Sequence, residues 1–164
     1  RIRIPANLDD LPRIGMLLTL VPALEQLCWF GRGPHENYWD RKAGAAVGRY
    51  SSTVTDQYVP YIMPQEHGGK TDVRWVQLSG SDGTGLTVRS RNTPFQFGAS
   101  HYTADDLFAA RHTVELESHA NVYLSLDLLH RGLGTASCGP DTTPEYRIRA
   151  GLHHFTYTLA PATR

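Results

Sequence analysis

Residues 28–42 concentrate side chains that can do chemistry: within fifteen positions stand Cys28, Trp29, Arg32, His35, Glu36, Asn37, Tyr38, Trp39, Asp40 and Arg41. Aromatic faces beside carboxylate, amide and guanidinium groups are the ingredients of a saccharide site. The C–H face of a pyranose packs on a ring, while its hydroxyls take directional hydrogen bonds from fixed polar groups. The same residues allow a purely structural reading, in which Glu36 and Asp40 pair with Arg32 and Arg41 to pin a long loop onto a sheet. A second group, Gln65, Glu66 and His67, sits between Pro64 and the turn Gly68-Gly69. Glu66 and His67 could form an acid–base couple, but neighbours in an extended segment point to opposite faces, so a structural role is expected for both. A third segment, 127–146, is a glycine-rich loop between strands. No Gly-Lys-Ser/Thr follows its glycines, so it is not a phosphate loop. Cys138 on this loop has only His130 and Arg131 as local basic neighbours, and an inert thiol is expected.

Other chemistries find less support. The eight histidines include no pair at helical ligand spacing, so no metal site is expected. No Gly-x-Ser-x-Gly elbow is present for a nucleophilic serine. Cys28 and Cys138 lie too far apart for a disulfide framework or a zinc spacing.

The elements that must position these residues are short strands. Alternation with period two is clearest in Val122-Tyr123-Leu124-Ser125-Leu126-Asp127-Leu128. Further strands are expected at 13–20, 27–31, 72–79, 85–91, 95–100, 113–117, 146–150 and 155–159. Thr103 is placed to cap a short helix over 104–110, with Asp105 and Asp106 in its first turn facing the positive end of the helix dipole. A helical turn is also expected at 39–42. Many short strands punctuated by glycine and proline, with almost no helix, predict an all-β sandwich of mainly antiparallel strands.

The chain has 164 residues, with 16 Lys plus Arg against 16 Asp plus Glu. That length predicts a single domain, 1–164, with its own core. Zero net charge and the lack of a basic block give no electrostatic footprint for nucleic acid or for a membrane surface. No apolar run reaches membrane-spanning length, and the N-terminal residues have no signal-peptide core, so a cytoplasmic, reducing location is expected. The chain opens in a strand pattern without methionine, which predicts a piece of something longer.

Four ordered blocks carry a family resemblance. Trp29-Phe30-Gly31-Arg32-Gly33-Pro34-His35-Glu36-Asn37-Tyr38 with Asp40-Arg41 resembles the WxGxGPxExYxDR signature of the small-chain domain of bacterial β-galactosidases in glycoside hydrolase family 2. Tyr61-Ile62-Met63-Pro64-Gln65-Glu66-His67-Gly68 followed by Arg74-Trp75 is similar to that domain's YxxPQExGxxxxxRW block. Pro94 to Phe97 with Arg111 to Leu116, and Gly132 to Pro140 with Pro144-Glu145-Tyr146, match its later blocks.

The resemblance implies a β-supersandwich of the galactose mutarotase-like type with one or two short helices. It implies that the chain is the C-terminal portion of the small-chain domain, without that domain's first strands. The parent enzyme would hydrolyse terminal β-D-galactosides such as lactose through two glutamates of a barrel domain. No catalytic residue is therefore expected in this chain, and no cofactor, although the parent family commonly uses Mg and Na in other domains. The expected partners are the remaining domains of the parent, the galactoside, and further copies in a homo-oligomer. The resemblance also implies substrate contact through the loop holding Ser137 and Cys138, where some members place a tryptophan platform. Cys138 can line a pocket but offers no stacking face. Together with the aromatic loop, this nominates Cys138, Ser137, His130, Glu36 and Trp39 as substrate-binding residues. His130 stands where many relatives carry glutamine, and its charge is expected to respond to pH. Two other readings are a free carbohydrate-binding module using Trp29, Trp39, Tyr38 and Glu36, and an aldose epimerase of the mutarotase type.

Overall fold

The structure is a computed structural model that describes residues 1–135 and 139–162. Its strands are β1 (Ile2–Ile4), β2 (Arg13–Leu20), β3 (Gln26–Gly33), β4 (Ala46–Thr53), β5 (Lys70–Val73), β6 (Trp75–Ser79), β7 (Gly85–Ser90), β8 (Phe95–Ser100), β9 (Val122–His130), β10 (Gly151–His153) and β11 (Tyr157–Pro161). They form a five-stranded sheet in the order β11-β7-β6-β3-β4, a four-stranded sheet in the order β2-β9-β8-β5, and a two-stranded ribbon of β1 and β10. Each pairing is antiparallel. The expected all-β sandwich is what the chain forms.

Period-two patterning explains the core. Leu27, Trp29, Val76, Leu78 and Val88 of the larger sheet meet Phe95, Phe97, Val122, Leu124 and Leu126 of the smaller one, all buried. A separate small core of Ile4, Ile14 and Ile148 closes the end beside the ribbon. The outer face of β9 is not simply wet: Ser125 and Asp127 are buried there. Gly15 makes room for the Asp127 carboxylate, since a Cβ on Gly15 would fall 2.0 Å from Asp127 Oδ1, and the register of β2 on β9 shifts at Ile14/Gly15.

Several expectations are corrected. The stretch 72–79 is two strands in different sheets, because the chain leaves the smaller sheet after Val73, just past the irregularity at Asp72, whose φ is 52°. Arg74 holds that crossing by donating to the Asp72 carbonyl and stacking over Phe30 at 5.5 Å. β4 was not expected, since it is an edge strand whose side chains are largely exposed and carry no apolar alternation. Residues Thr113–Glu115 form a 3₁₀ turn rather than a strand. Segment 146–150 contributes one bridge, Leu11 to Ile148, instead of a strand. At 39–42 there is a reverse turn, closed by mutual backbone bonds between Tyr38 and Arg41 (3.1 and 2.8 Å), rather than a helical one. The Thr103 cap forms as read. α1 (Ala104–Ala109) opens with a capping box in which the Asp106 amide donates to Thr103 Oγ1 and the Thr103 amide to Asp106 Oδ2. No described helix is long and apolar enough to cross a membrane.

Leu124 has no exposed surface and sits at the centre of the inter-sheet core. Truncating it to alanine should cost roughly 2–5 kcal/mol in urea unfolding. Leu152→Ala on the exposed ribbon should stay within about 0.5 kcal/mol.

Candidate functional site

Loop 34–41 leaves β3 and crosses to β4, and three of its side chains reach other segments. Glu36 Oε2 accepts the Gly68 amide (2.9 Å), while Oε1 accepts from the Tyr61 hydroxyl and from Arg41 (3.1 Å). Asn37 Oδ1 accepts both the amide (2.9 Å) and the hydroxyl (2.6 Å) of Thr71, and the Asn37 amide donates to the Gly69 carbonyl (2.8 Å). Asp40 accepts the amides of Leu133 (3.1 Å) and Gly134 (2.8 Å), and the Thr142 hydroxyl approaches it at 3.4 Å. One short loop thus holds both the 61–71 segment and the 132–142 loop. Gly134 has φ +62°, and a Cβ there would meet the Thr142 nitrogen at 2.5 Å, so this stem admits glycine.

The stem of the 132–142 loop is fixed again from outside. Thr135 donates through its amide (3.1 Å) and hydroxyl (3.0 Å) to the Pro140 carbonyl. Arg131 grips both Asp10 oxygens (2.6 and 3.0 Å) and Asp141 (2.7 Å), and Arg147 reaches Asp141 at 3.4 Å. The hydrogen bonds from Arg131 hold both carboxyls below the usual carboxylate range.

The structure places the nominated residues as follows. Ser137 and Cys138 lie outside the described residues. Glu36 has its carboxylate filled by protein donors. Trp39 is half-buried with its ring edge against Tyr146 at 5.7 Å. It lines a cavity of about 200 Å³ with Lys42, Asp72 and Phe95. His130 packs edge-on against Tyr38 at 5.6 Å. Burial, with the Arg13 charge nearby, pushes its pKa down to about 3. The expectation that its charge responds near neutral pH is therefore corrected: the ring stays neutral because the protonated form would be desolvated beside a guanidinium.

Trp29 and Tyr38 are each only 1 % exposed, so neither offers a face to a sugar. The free-module reading used both of them, and it fails on that count. Of the ion pairs expected in the structural reading, Glu36–Arg41 forms. Asp40 instead binds backbone amides, and Arg32 pairs with Asp72, which Lys42 also contacts at 3.1 Å.

Sequence reasoning missed the burial of Lys70 and Asp127, and it named His67 without foreseeing that the ring is buried. Lys70 is 2 % exposed, donates to the Gly68 carbonyl (2.9 Å) and lies 5.3 Å from the Trp29 ring centroid; burial pushes its pKa down to about 8. Asp127 is 2 % exposed and pairs with Arg13 at 2.9 Å; its carboxyl is pushed up to about 6, first by burial. His67 is buried, with Nδ1 donating to the Gln65 carbonyl (3.0 Å). The alternation argument also misjudged Glu66 and His67. Segment 62–67 is bent rather than extended, and both residues line one cavity with Arg13 and Asp127. A buried charge inside a turn or strand leaves no local pattern, and Asp127 falls on the polar positions of an alternating strand, where exposure is the expectation.

Comparison with known proteins places this arrangement among relatives. The profile of a family described as Beta galactosidase small chain matches residues 1–159. A Priestia megaterium protein named beta-galactosidase is 37% identical over 157 residues, which is 94% of this chain and 15% of that protein. A Vibrio cholerae beta-galactosidase is 38% identical over 155 residues (94% and 14%). A Kluyveromyces lactis one is 33% identical over 152 residues (92% and 14%). This chain therefore spans only about one-seventh of the length of the relatives it matches.

Two outcomes are expected. Asp40→Ala leaves the Leu133 and Gly134 amides without their acceptor. Hydrogen exchange at these amides should accelerate, and stability should fall by about 1–3 kcal/mol. For His130 the unfolded chain takes up a proton near 6.5 and the folded chain only near 3. Its contribution is thus complete above about pH 7 and is lost as pH falls through that window. The stability of wild type relative to His130→Gln should decline between pH 7 and 4, a comparison that cancels the opposite trend from Asp127. A difference that stays constant would mean the ring is protonated in the folded state.

Proposed function

This chain belongs to the beta-galactosidase small-chain family, and from that premise we propose that it is a non-catalytic β-sandwich module of a β-galactosidase. In this reading the longer polypeptide hydrolyses terminal β-D-galactosides such as lactose. Its catalytic carboxylates lie in another domain, and this module packs on that domain and lends the 132–142 loop to the rim of the substrate site.

The observation that carries the reading is the Asp40 clamp. Its two oxygens hold the backbone at Leu133 and Gly134 while Arg131 and Asp10 hold the same loop from the opposite side. A loop stem fixed at this many points suits a rim contact, since such a contact contributes only if its ordering entropy is met beforehand. Glu36 and His130 then serve as supports rather than as sugar ligands, and Trp39 is the one nominated ring with surface left to offer. Ile62 and Met63, at 93% and 63% exposure on the neighbouring segment, suit a surface covered by another domain. Metal ions of the parent belong to other domains in this reading. Among the described residues no three His, Cys, Asp or Glu side chains are placed to hold one.

The 164-residue chain alone should leave a nitrophenyl β-galactoside intact, and measurable turnover by it would falsify the module reading. Joined to the remaining domains, Asp40→Ala should lower kcat/KM by about tenfold or more through a looser rim. An unchanged kcat/KM in that variant would remove the loop from the site.

A further inference from the structure

We propose that the cavity on the outer face of the four-stranded sheet, where Asp127, Glu66 and His67 gather around Arg13, binds a small hydroxylated primary amine. The cavity measures about 340 Å³ and has Tyr102 and Tyr123 among its walls. That is room for one six-membered ring with a few waters. None of its described lining residues belongs to the 132–142 loop, so the site is separate from the rim proposed above.

The first argument is a charge count. Asp127 and Glu66 share a single guanidinium: Arg13 lies 2.9 Å from Asp127 and 3.6 Å from Glu66. No other Lys or Arg is among the described lining residues. Leaving His67 aside, the carboxylates of the lining outnumber its Lys and Arg side chains by one. Burial comes first in raising both carboxyls above the usual range; the charge of Glu66 adds to it at Asp127, and that of Glu36 adds to it at Glu66.

The second argument is a count of donors and acceptors. His67 Nδ1 faces a carbonyl, so it carries the proton and Nε2 is the acceptor of the neutral ring. That Nε2 is buried without a partner, on a residue 7 % exposed. Ser125 already donates its hydroxyl proton to Gly98 (3.4 Å), and Thr103 donates to Asp106 (2.6 Å). The buried atoms left without a partner are thus His67 Nε2 and the donor Arg13 Nε, and the wall hydroxyls of Ser100, Tyr102 and Tyr123 can each turn to give or take a hydrogen bond.

The complementary ligand brings positive charge, several donors and at least one hydroxyl oxygen for Arg13 Nε. An ammonium group has three donors and no acceptor. A bare metal ion would supply charge, but no three ligating side chains among the described residues converge to hold one, and it would leave Arg13 Nε unmet. The two tyrosine rings add faces that attract an organic cation.

The test is an amide NMR titration of the 164-residue chain near neutral pH with D-galactosamine and with D-galactose, which differ by an ammonium in place of a hydroxyl. D-Galactosamine should shift the amides of Gly15, Gly98 and Ser125 and saturate. D-Galactose should bind at least about tenfold more weakly, the scale of one hydrogen bond to a charged group. Glu66→Gln keeps the shape at a partly exposed wall position and should weaken D-galactosamine about tenfold while leaving D-galactose unchanged. Equal affinity for the two sugars overturns the proposal, and so does the absence of shifts or their confinement to the 132–142 loop. Any of those outcomes leaves the module reading intact, because that reading is tested by turnover.

Discussion

A chain that leaves a β-sheet gives up its ladder, and its backbone groups must then find partners among side chains or water. In this sandwich that constraint is met chiefly by Glu36, Asn37 and Asp40. Each reaches a different backbone segment: Glu36 the Gly68 amide, Asn37 the Thr71 amide, Asp40 the Leu133 and Gly134 amides. Charge-assisted bonds from carboxylate to backbone amide are among the stronger ones available to a loop. Because all three acceptors sit within five residues, movement of either the 68–71 segment or the 133–134 backbone would be felt by the other. The loops at this end of the sandwich therefore behave as one assembly resting on loop 34–41.

Ion pairs outside that assembly fall into two kinds. Those around Arg131, Asp10, Asp141 and Arg147 are partly exposed and form a network, which adds more than isolated surface pairs do. The buried charges are different in kind. Lys70 is stabilised by a carbonyl and by the face of Trp29, and Asp127 by Arg13. Both retain pKa values displaced towards the neutral form. Burying such groups costs stability unless they are fully paired. The cavity beside Asp127 is the place where pairing within the chain stops short, with two unpartnered nitrogens and one excess carboxylate. Structural charges and site charges are thereby separable: the first are saturated within the chain, the second are not.

How much of this was legible in the residues varies with the range of the interaction. Strands with one buried face, such as Phe95–Ser100, announce themselves because period two and burial coincide. The Thr103 cap was equally plain, since the capping box spans only four residues. β4 escaped notice because an edge strand with exposed faces needs no apolar alternation. The change of sheet after Val73 escaped because one run of strand-forming residues serves two sheets. Among site residues, Glu36 and Asp40 were expected to pair with Arg32 and Arg41; only Glu36–Arg41 forms, and the partners of Asp40 lie more than ninety positions away and leave no local mark.

The residues by themselves determined the class of fold, the positions of most strands, the helix cap and, through four ordered blocks, the family. These follow from patterns confined to a few neighbouring positions, or from motifs whose order survives in one dimension. Tertiary structure decided what the motif residues do. It buried Trp29 and Tyr38 in contacts that remove them from any ligand, turned Asp40 from a presumed arginine partner into a backbone clamp, and brought Glu66, His67, Arg13 and Asp127 around one cavity. The physical reason is that burial and desolvation are properties of the packed sandwich. A side chain's role as support or as ligand depends on which partners already occupy its polar atoms, and those partners come from across the sheets.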